Sequence, residues 1–123
     1  MANKETFHDL IVWQKAVTLS THVYRATRAM PDMEKFSLTA QMRRAAVSIA
    51  SNIAEGNARQ TLRDYLHFLA VARGSLVELE TQIIISRELG MLANTESLLS
   101  QLSEVRRILQ RLIDSLRRKR GQD

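Results

Sequence analysis

Residues 41–56 read QMRRAAVSIASNIAEG, and the ten residues from Ala45 through Ala54 carry no charge. In a helix, ten residues make almost three turns, so an uncharged stretch of that length is covered on more than one side. Taking about 100° per residue from Ile49, the side chains of Leu38, Met42, Ala45 and Ile53 fall within roughly 40° of it and form a core stripe. The remaining surface divides into two flanks. Arg44, Ser48, Ser51 and Glu55 make one, and Arg43, Val47, Ala50 and Ala54 make the other. Small side chains allow helices to approach closely, so Val47, Ala50 and Ala54, with Arg43 at the edge, are the candidate contact with a second subunit. This helix is expected over residues 38–57, with Ser37 as its N-cap and the left-handed tolerance of Gly56 and Asn57 ending it.

Outward from that helix, the chain divides into three more. The first is expected from about Asp9, its N-cap, to Ala29, with Pro31 as the stop. It has two apolar seams, Leu10, Trp13, Val17 and Tyr24 on one line and Val12, Ala16, Leu19, Val23, Ala26 and Met30 on the other. Trp13 reads as a core or interface anchor, and Phe36, in the connector, as a plug for the bundle end. The third helix is expected over residues 62–88, opened by the capping box Thr61-Leu-Arg-Asp64 and closed at Gly90. Gly74 and Ser75 would let the second helix approach it closely, with Asn52 near His67. The fourth runs from about residue 95 to 118 on the single seam Leu98, Leu102, Val105, Leu109, Leu112 and Leu116, and the last residues, Arg117 to Asp123, are expected to fray. Four helices and short loops specify a single all-α domain over residues 1–123, an antiparallel up-down-up-down four-helix bundle. Surplus apolar surface on the first three helices points to a homo-oligomer.

Composition narrows the chemistry. No cysteine is present, which excludes thiol catalysis, cysteine-ligated zinc and disulfides. The opening MANKETFHDL lacks the charged and apolar regions of a signal peptide, and no apolar run approaches the length of a membrane span, so a cytoplasmic protein with no membrane partner is expected. Of the net charge of +5, the segment from Glu104 to Asp123 holds +4, seven cations against three anions. A polyanion would meet that end first.

The string Arg43-Arg44-Ala45-Ala46-Val47-Ser48-Ile49 followed by Asn52-Ile53-Ala54-Glu55-Gly56 is required by no general helix rule. With Asp9-Leu10, Val12-Trp13, Ala16, Pro31, Glu34, Phe36, Leu38, Gln41, Arg59, Phe68, Ala72, Gly74-Ser75, Glu78-Leu79-Glu80 and Leu89-Gly90, it resembles the small four-helix-bundle proteins encoded by intervening sequences in bacterial 23S ribosomal RNA genes. The chain departs from that pattern at Ser37, Met30 and Met91, where glycine, an aromatic residue and tyrosine are usual. The resemblance implies a ring-shaped homopentamer with no established enzymatic activity. A more distant similarity, to accessory bundle proteins of diversity-generating retroelements, implies association with nucleic acid and with a nucleic-acid-processing protein.

The cationic residues admit two readings each. Arg43 and Arg44, repeated around a ring, would concentrate positive potential for phosphate; the alternative is structural pairing with Glu78 and Glu80, beside an i, i+4 pair of Glu55 and Arg59. Asn52 reads as a register-fixing polar residue. Arg106, Arg107, Arg111, Arg117, Arg118, Lys119 and Arg120 are the stronger candidates for RNA or DNA, against the alternative of a solvated helix end whose cations suit the dipole. No aromatic residue is interleaved with them, so contact would be to phosphate and sensitive to salt. The spacings Glu5-x-x-His8 and Asp64-x-x-His67 match half of a di-iron bundle site, but no inward glutamate on the second or fourth helix completes it. No metal, cofactor or catalytic residue is expected, and His22 reads as a polar helix residue.

Overall fold

A computed structural model of the protein describes residues 6–122. They form four long helices, α1 (Ile11–Thr27), α2 (Leu38–Asn57), α3 (Leu62–Glu88) and α4 (Thr95–Gln122), with 3-10 turns at Phe7–Asp9 and Asp32–Glu34 and no strand among the described residues. Helices α1 and α3 each adjoin α2 and α4, while the diagonal pairs stay apart, so the four make a square. Cross-helix bonds give the directions. The Ser48 and Ser75 hydroxyls meet at 2.8 Å and Ser86 Oγ donates to Met42 Sδ at 3.5 Å, so α2 and α3 are antiparallel. Arg73 with Gln110 and Arg106 with Glu80 establish the same for α3 and α4, and Lys15 with Glu104 and His22 with Gln101 for α1 and α4. The bundle is therefore up-down-up-down.

The stripe read on α2 is the core: Met42, Ala45, Ile49 and Ile53 are buried, and Leu38 is half-buried against them. They meet Val12, Ala16, Leu19 and Val23 of α1, Leu69, Leu76, Leu79 and Ile83 of α3, and a seam on α4. That seam is Leu98, Leu102, Val105, Leu109, Ile113 and Leu116, with Leu112 only half-buried. A strict alternation of four and three has a period of 3.5, and a straight helix of 3.6 residues per turn drifts out of that phase. Ile113 takes the place that the spacing assigned to Leu112.

Several ends differ from the sequence reading. Leu10, not Asp9, precedes α1 as its N-cap, because Asp9 lies in the preceding 3-10 turn and accepts from the Thr6 N–H at 3.3 Å. Ser37 stands at the N-cap of α2 but its side chain caps nothing; Glu34 Oε1 accepts from the Leu38 N–H at 3.4 Å instead. Phe36 plugs nothing, being 88% exposed. Helix α4 continues to Gln122, so Arg117 to Arg120 are helical. Half of the capping box read at the start of α3 is present: Thr61 Oγ1 accepts from the Asp64 N–H at 3.1 Å, while the return bond from the Thr61 N–H to the Asp64 carboxylate is not made among the described residues. At the other end of α3, Gly90 has φ +71° and its N–H reaches Arg87 O while the Met91 N–H reaches Ser86 O, both at 2.9 Å. This is a Schellman closure, for which glycine is suited.

The two glycines of the α2–α3 pair have opposite roles. Gly56 is helical, followed by Asn57 and a right-handed Ala58, so no left-handed residue ends α2. A Cβ at Gly56 would stand 2.9 Å from Phe68 Cβ and 3.0 Å from Tyr65 Cδ1, so its lack of a side chain is what allows α3 to cross there. Beside it Asn57 Nδ2 donates to the Tyr65 hydroxyl at 3.1 Å, and burial holds that phenol above its ordinary pKa while this hydrogen bond works the other way. Gly74, read as a site of close approach, has nothing within 4 Å of a built Cβ; Ser75 alone faces α2. Gly56→Ala is expected to cost about 1–3 kcal/mol by overpacking, and Gly74→Ala to stabilise by about 1 kcal/mol through helix propensity. Urea unfolding of the two variants checks both signs.

Candidate nucleic-acid interface

Helix α4 carries its core seam toward the other three helices, which leaves its far side to polar residues. At about 100° per residue, Arg107, Arg111 and Arg118 lie within roughly 40° of one another on that far side. All three are exposed, as are Arg106, Arg117, Lys119 and Arg120. The successive residues Arg117 to Arg120 point in four directions around the axis, as any four consecutive helical residues must. Lys15 pairs with Glu104 at 3.3 Å and His22 with Gln101 at 2.7 Å, which sets the start of α1 about level with Gln110. The later turns of α4 thus extend past the start of α1, alongside α3.

Few of these charges are cancelled. Arg106 Nη1 lies 3.2 Å from Glu80 Oε1, whereas Arg107 Nη1 donates to the neutral Ser103 hydroxyl at 3.0 Å. Among the described residues, no carboxylate lies within 4.0 Å of the charged nitrogens of Arg111, Arg117, Arg118, Lys119 or Arg120; Asp123 lies outside the described residues. Across from Arg106 and Arg107 stands Arg73 of α3, which donates to Gln110 Oε1 at 3.1 Å. These three arginines share an open groove of about 600 Å³. Arg73 was missed in the sequence because it is over thirty residues from its neighbours, and only the α3–α4 register brings it to them.

Arg43 and Arg44 part company. Arg43 Nε donates to the buried Thr27 Oγ1 at 2.9 Å, its Nη2 to Tyr24 O at 3.2 Å, and its guanidinium lies 4.7 Å from the Tyr24 ring centroid. Thr27 in turn donates to Val23 O at 2.8 Å. Arg43 therefore ties α2 to the end of α1 and is not paired with Glu78 or Glu80; Glu80 belongs to Arg106. The cause is helix phase, which turns Arg43 toward α1 and Arg44 toward α3. Arg44 lines a recess with Ser48, Ser75, Glu78 and Gln82, where no ion pair with Glu78 closes within 4.0 Å among the described residues. Asn52 donates to Ser48 O at 2.8 Å and Ser48 Oγ at 3.0 Å, so it joins the Ser48–Ser75 pair and does not lie against His67. Glu55 and Arg59 pair at 2.9 Å as their spacing indicates.

The small flank of α2 is less open than its composition suggested. Ala50 and Ala54 are half-buried within the subunit, Ala50 packing on the core, and Arg43 of the same flank reaches α1. Val47 remains 42% exposed. Further apolar side chains stand outside the subunit on α3, among them Val71, Val77 and Ile85. Trp13 is half-buried, with the Phe7 and His8 rings edge-on to it at 5.1 and 5.4 Å.

The described residues contain no group of three or more histidines and carboxylates placed to hold a metal. Glu5 lies outside the described residues. His8 Nδ1 lies 3.0 Å from Thr6 Oγ1, and Asp64 and His67 are both exposed. No described helix is long and apolar enough to cross a membrane.

The profile of the family described as 23S rRNA-intervening sequence protein matches residues 8–111. The chain belongs to that family. The match takes in all of α1 to α3 and α4 as far as Arg111, so Arg117 to Arg120 lie beyond it. Among solved structures, the chain is similar to a protein of unknown function from the S23 ribosomal protein family of Bacteroides thetaiotaomicron, with a TM-score of 0.75 at 20% identity. The similarity covers 84% of this chain and 98% of that one, and at this identity it bears on the fold alone. A search of curated proteins found no match to the chain.

Proposed function

We propose that this family member is a non-enzymatic homo-oligomeric bundle of the cytoplasm that associates with nucleic acid and holds its phosphate backbone on basic surface repeated from subunit to subunit. The observation that carries this reading is the far side and end of α4, where Arg107, Arg111 and Arg117 to Arg120 are exposed and meet neutral partners or none among the described residues. Cations held apart from carboxylates retain their potential, and a polyanion that they neutralise releases its own condensed counterions into solution. Assembly multiplies that surface without new residues. The partners are RNA or DNA and, in the same complex, a nucleic-acid-processing protein.

The test is titration of purified protein into labelled RNA and DNA at low salt. Binding is expected, falling steeply as salt rises and largely lost on deleting residues 117–123 or neutralising Arg106, Arg107 and Arg111. Absence of binding at low salt overturns it and leaves the alternative, a structural or protein-binding scaffold with no nucleic-acid role. The apolar side chains outside α3 serve that alternative equally well.

Oligomerisation through α2 has its own readout. Val47 is open in the subunit, so Val47→Glu leaves the four-helix core intact while placing a charge in any interface that covers it. Light scattering is expected to show a fall in mass with helical circular dichroism retained. Unchanged mass removes Val47 from the interface.

A further inference from the structure

We propose that the groove between α3 and α4 at Gly74 seats one phosphodiester of a nucleic-acid strand, its phosphate among Arg73, Arg106 and Arg107 and its sugar against Ala70, Gly74 and Val77. This rests on the nucleic-acid reading above and names where on the bundle the strand is gripped. Charge is the first support. Three guanidinium groups line the groove against the single carboxylate of Glu80, because Arg73 and Arg107 are held by the neutral Gln110 and Ser103. Neutral acceptors fix the direction of a guanidinium without cancelling its charge, which is what phosphate recognition requires. Asp114 also lies nearby, but it is reached through Gln110, whose Nε2 donates to Asp114 Oδ1 at 3.0 Å.

Gly74 is the second support, and it is independent of charge. It lies inside the 27-residue helix α3, where glycine costs about 1 kcal/mol relative to alanine. Nothing among the described residues explains that cost. Gly74 has no positive φ, and nothing lies within 4 Å of a Cβ built there, in contrast to Gly56. What the missing side chain provides is open helix backbone at the floor of the groove, flanked by cations. The space of about 600 Å³ accepts a nucleotide unit. A second copy of this chain is the other occupant that an open glycine admits, and the excess of arginine over carboxylate favours the polyanion.

The test is fluorescence anisotropy of a fluorescein-labelled single-stranded 12-nucleotide RNA at about 50 mM salt, with wild type, Gly74→Leu and Arg73→Gln, and light scattering of each. Gly74→Leu puts an apolar side chain into the groove with no change of charge, at a position where a Cβ has no described neighbour within 4 Å, and Arg73→Gln removes one cation. Each is expected to weaken binding about tenfold, the order of one lost phosphate contact at this salt, with helicity and mass unchanged. Wild-type binding that both variants retain in full overturns the groove proposal and leaves the broader reading standing. A fall in mass with Gly74→Leu assigns the groove to a subunit contact and equally overturns it. No wild-type binding defeats both.

Discussion

Ile49→Ala is expected to lose about 2–5 kcal/mol of unfolding free energy, as buried aliphatic truncations do. Ile49 is 0% exposed and belongs to the core to which all four helices contribute, so no surface side chain can move in to fill the space. The loss combines the transfer energy of the removed methyl and methylene groups with the cavity they leave, and close packing limits relaxation. For a chain of this size the melting temperature should fall by roughly 10 °C or more. Val47→Ala, two residues away on the opposite side of α2, should change the subunit's stability by about 0.5 kcal/mol or less. Denaturant unfolding at a concentration below any assembly threshold separates the two. Equal losses at both positions would mean that the core stripe of α2 has been assigned to the wrong face.

That stripe was legible because it depends on period alone. Met42, Ala45, Ile49 and Ile53 are spaced as a 3.6-residue helix requires, and charge is excluded from most of the surrounding positions. Helix ranges were equally readable from Thr61, Gly90 and Pro31, which stand between apolar periodic stretches where a cap or a break in the helix is expected. What failed depends on pairing between helices. Level positions across α2 and α3 placed Asn52 against His67, yet Ser48 meets Ser75 and Met42 meets Ser86. The midpoint of the turn lies later than spacing suggests, since Gly56 faces Tyr65 and Phe68, and every level position moves with it, which no periodicity within one helix reports. The same limit hid Arg73 from Arg106 and Arg107, and sent Arg43 to α1 when acids on α3 stood at the expected level. The cationic end of α4 was visible as composition. Its helical continuation to Gln122 was not, because a polar, glycine-containing terminus looks the same whether it frays or holds.

Replacing Arg117, Arg118, Lys119 and Arg120 together by glutamine is expected to weaken binding of a single-stranded 12-nucleotide RNA by about 100-fold at about 50 mM salt. The figure follows from geometry. Four consecutive residues of a helix point in four directions, so one strand reaches about two of them, and each phosphate contact is worth roughly tenfold at that salt. The substituted residues lie beyond the core seam, which ends at Leu116, so the bundle should stay folded and its mass unchanged. A loss near 10,000-fold would indicate that the strand wraps the end of α4. No loss would move the contact to Arg73, Arg106, Arg107 and Arg111, within or beside the α3–α4 groove.

The most direct measurement is the dependence of that RNA affinity on salt, from about 50 to 200 mM, for the wild type and for the glutamine-substituted tail. Phosphate-driven binding on α4 gives a linear plot of log affinity against log salt, with a slope shallower by about 1.4 in the variant, the release of two contacts from a single strand. Absence of wild-type binding at the lowest salt, or an affinity that salt leaves unchanged, would contradict a nucleic-acid role for this bundle.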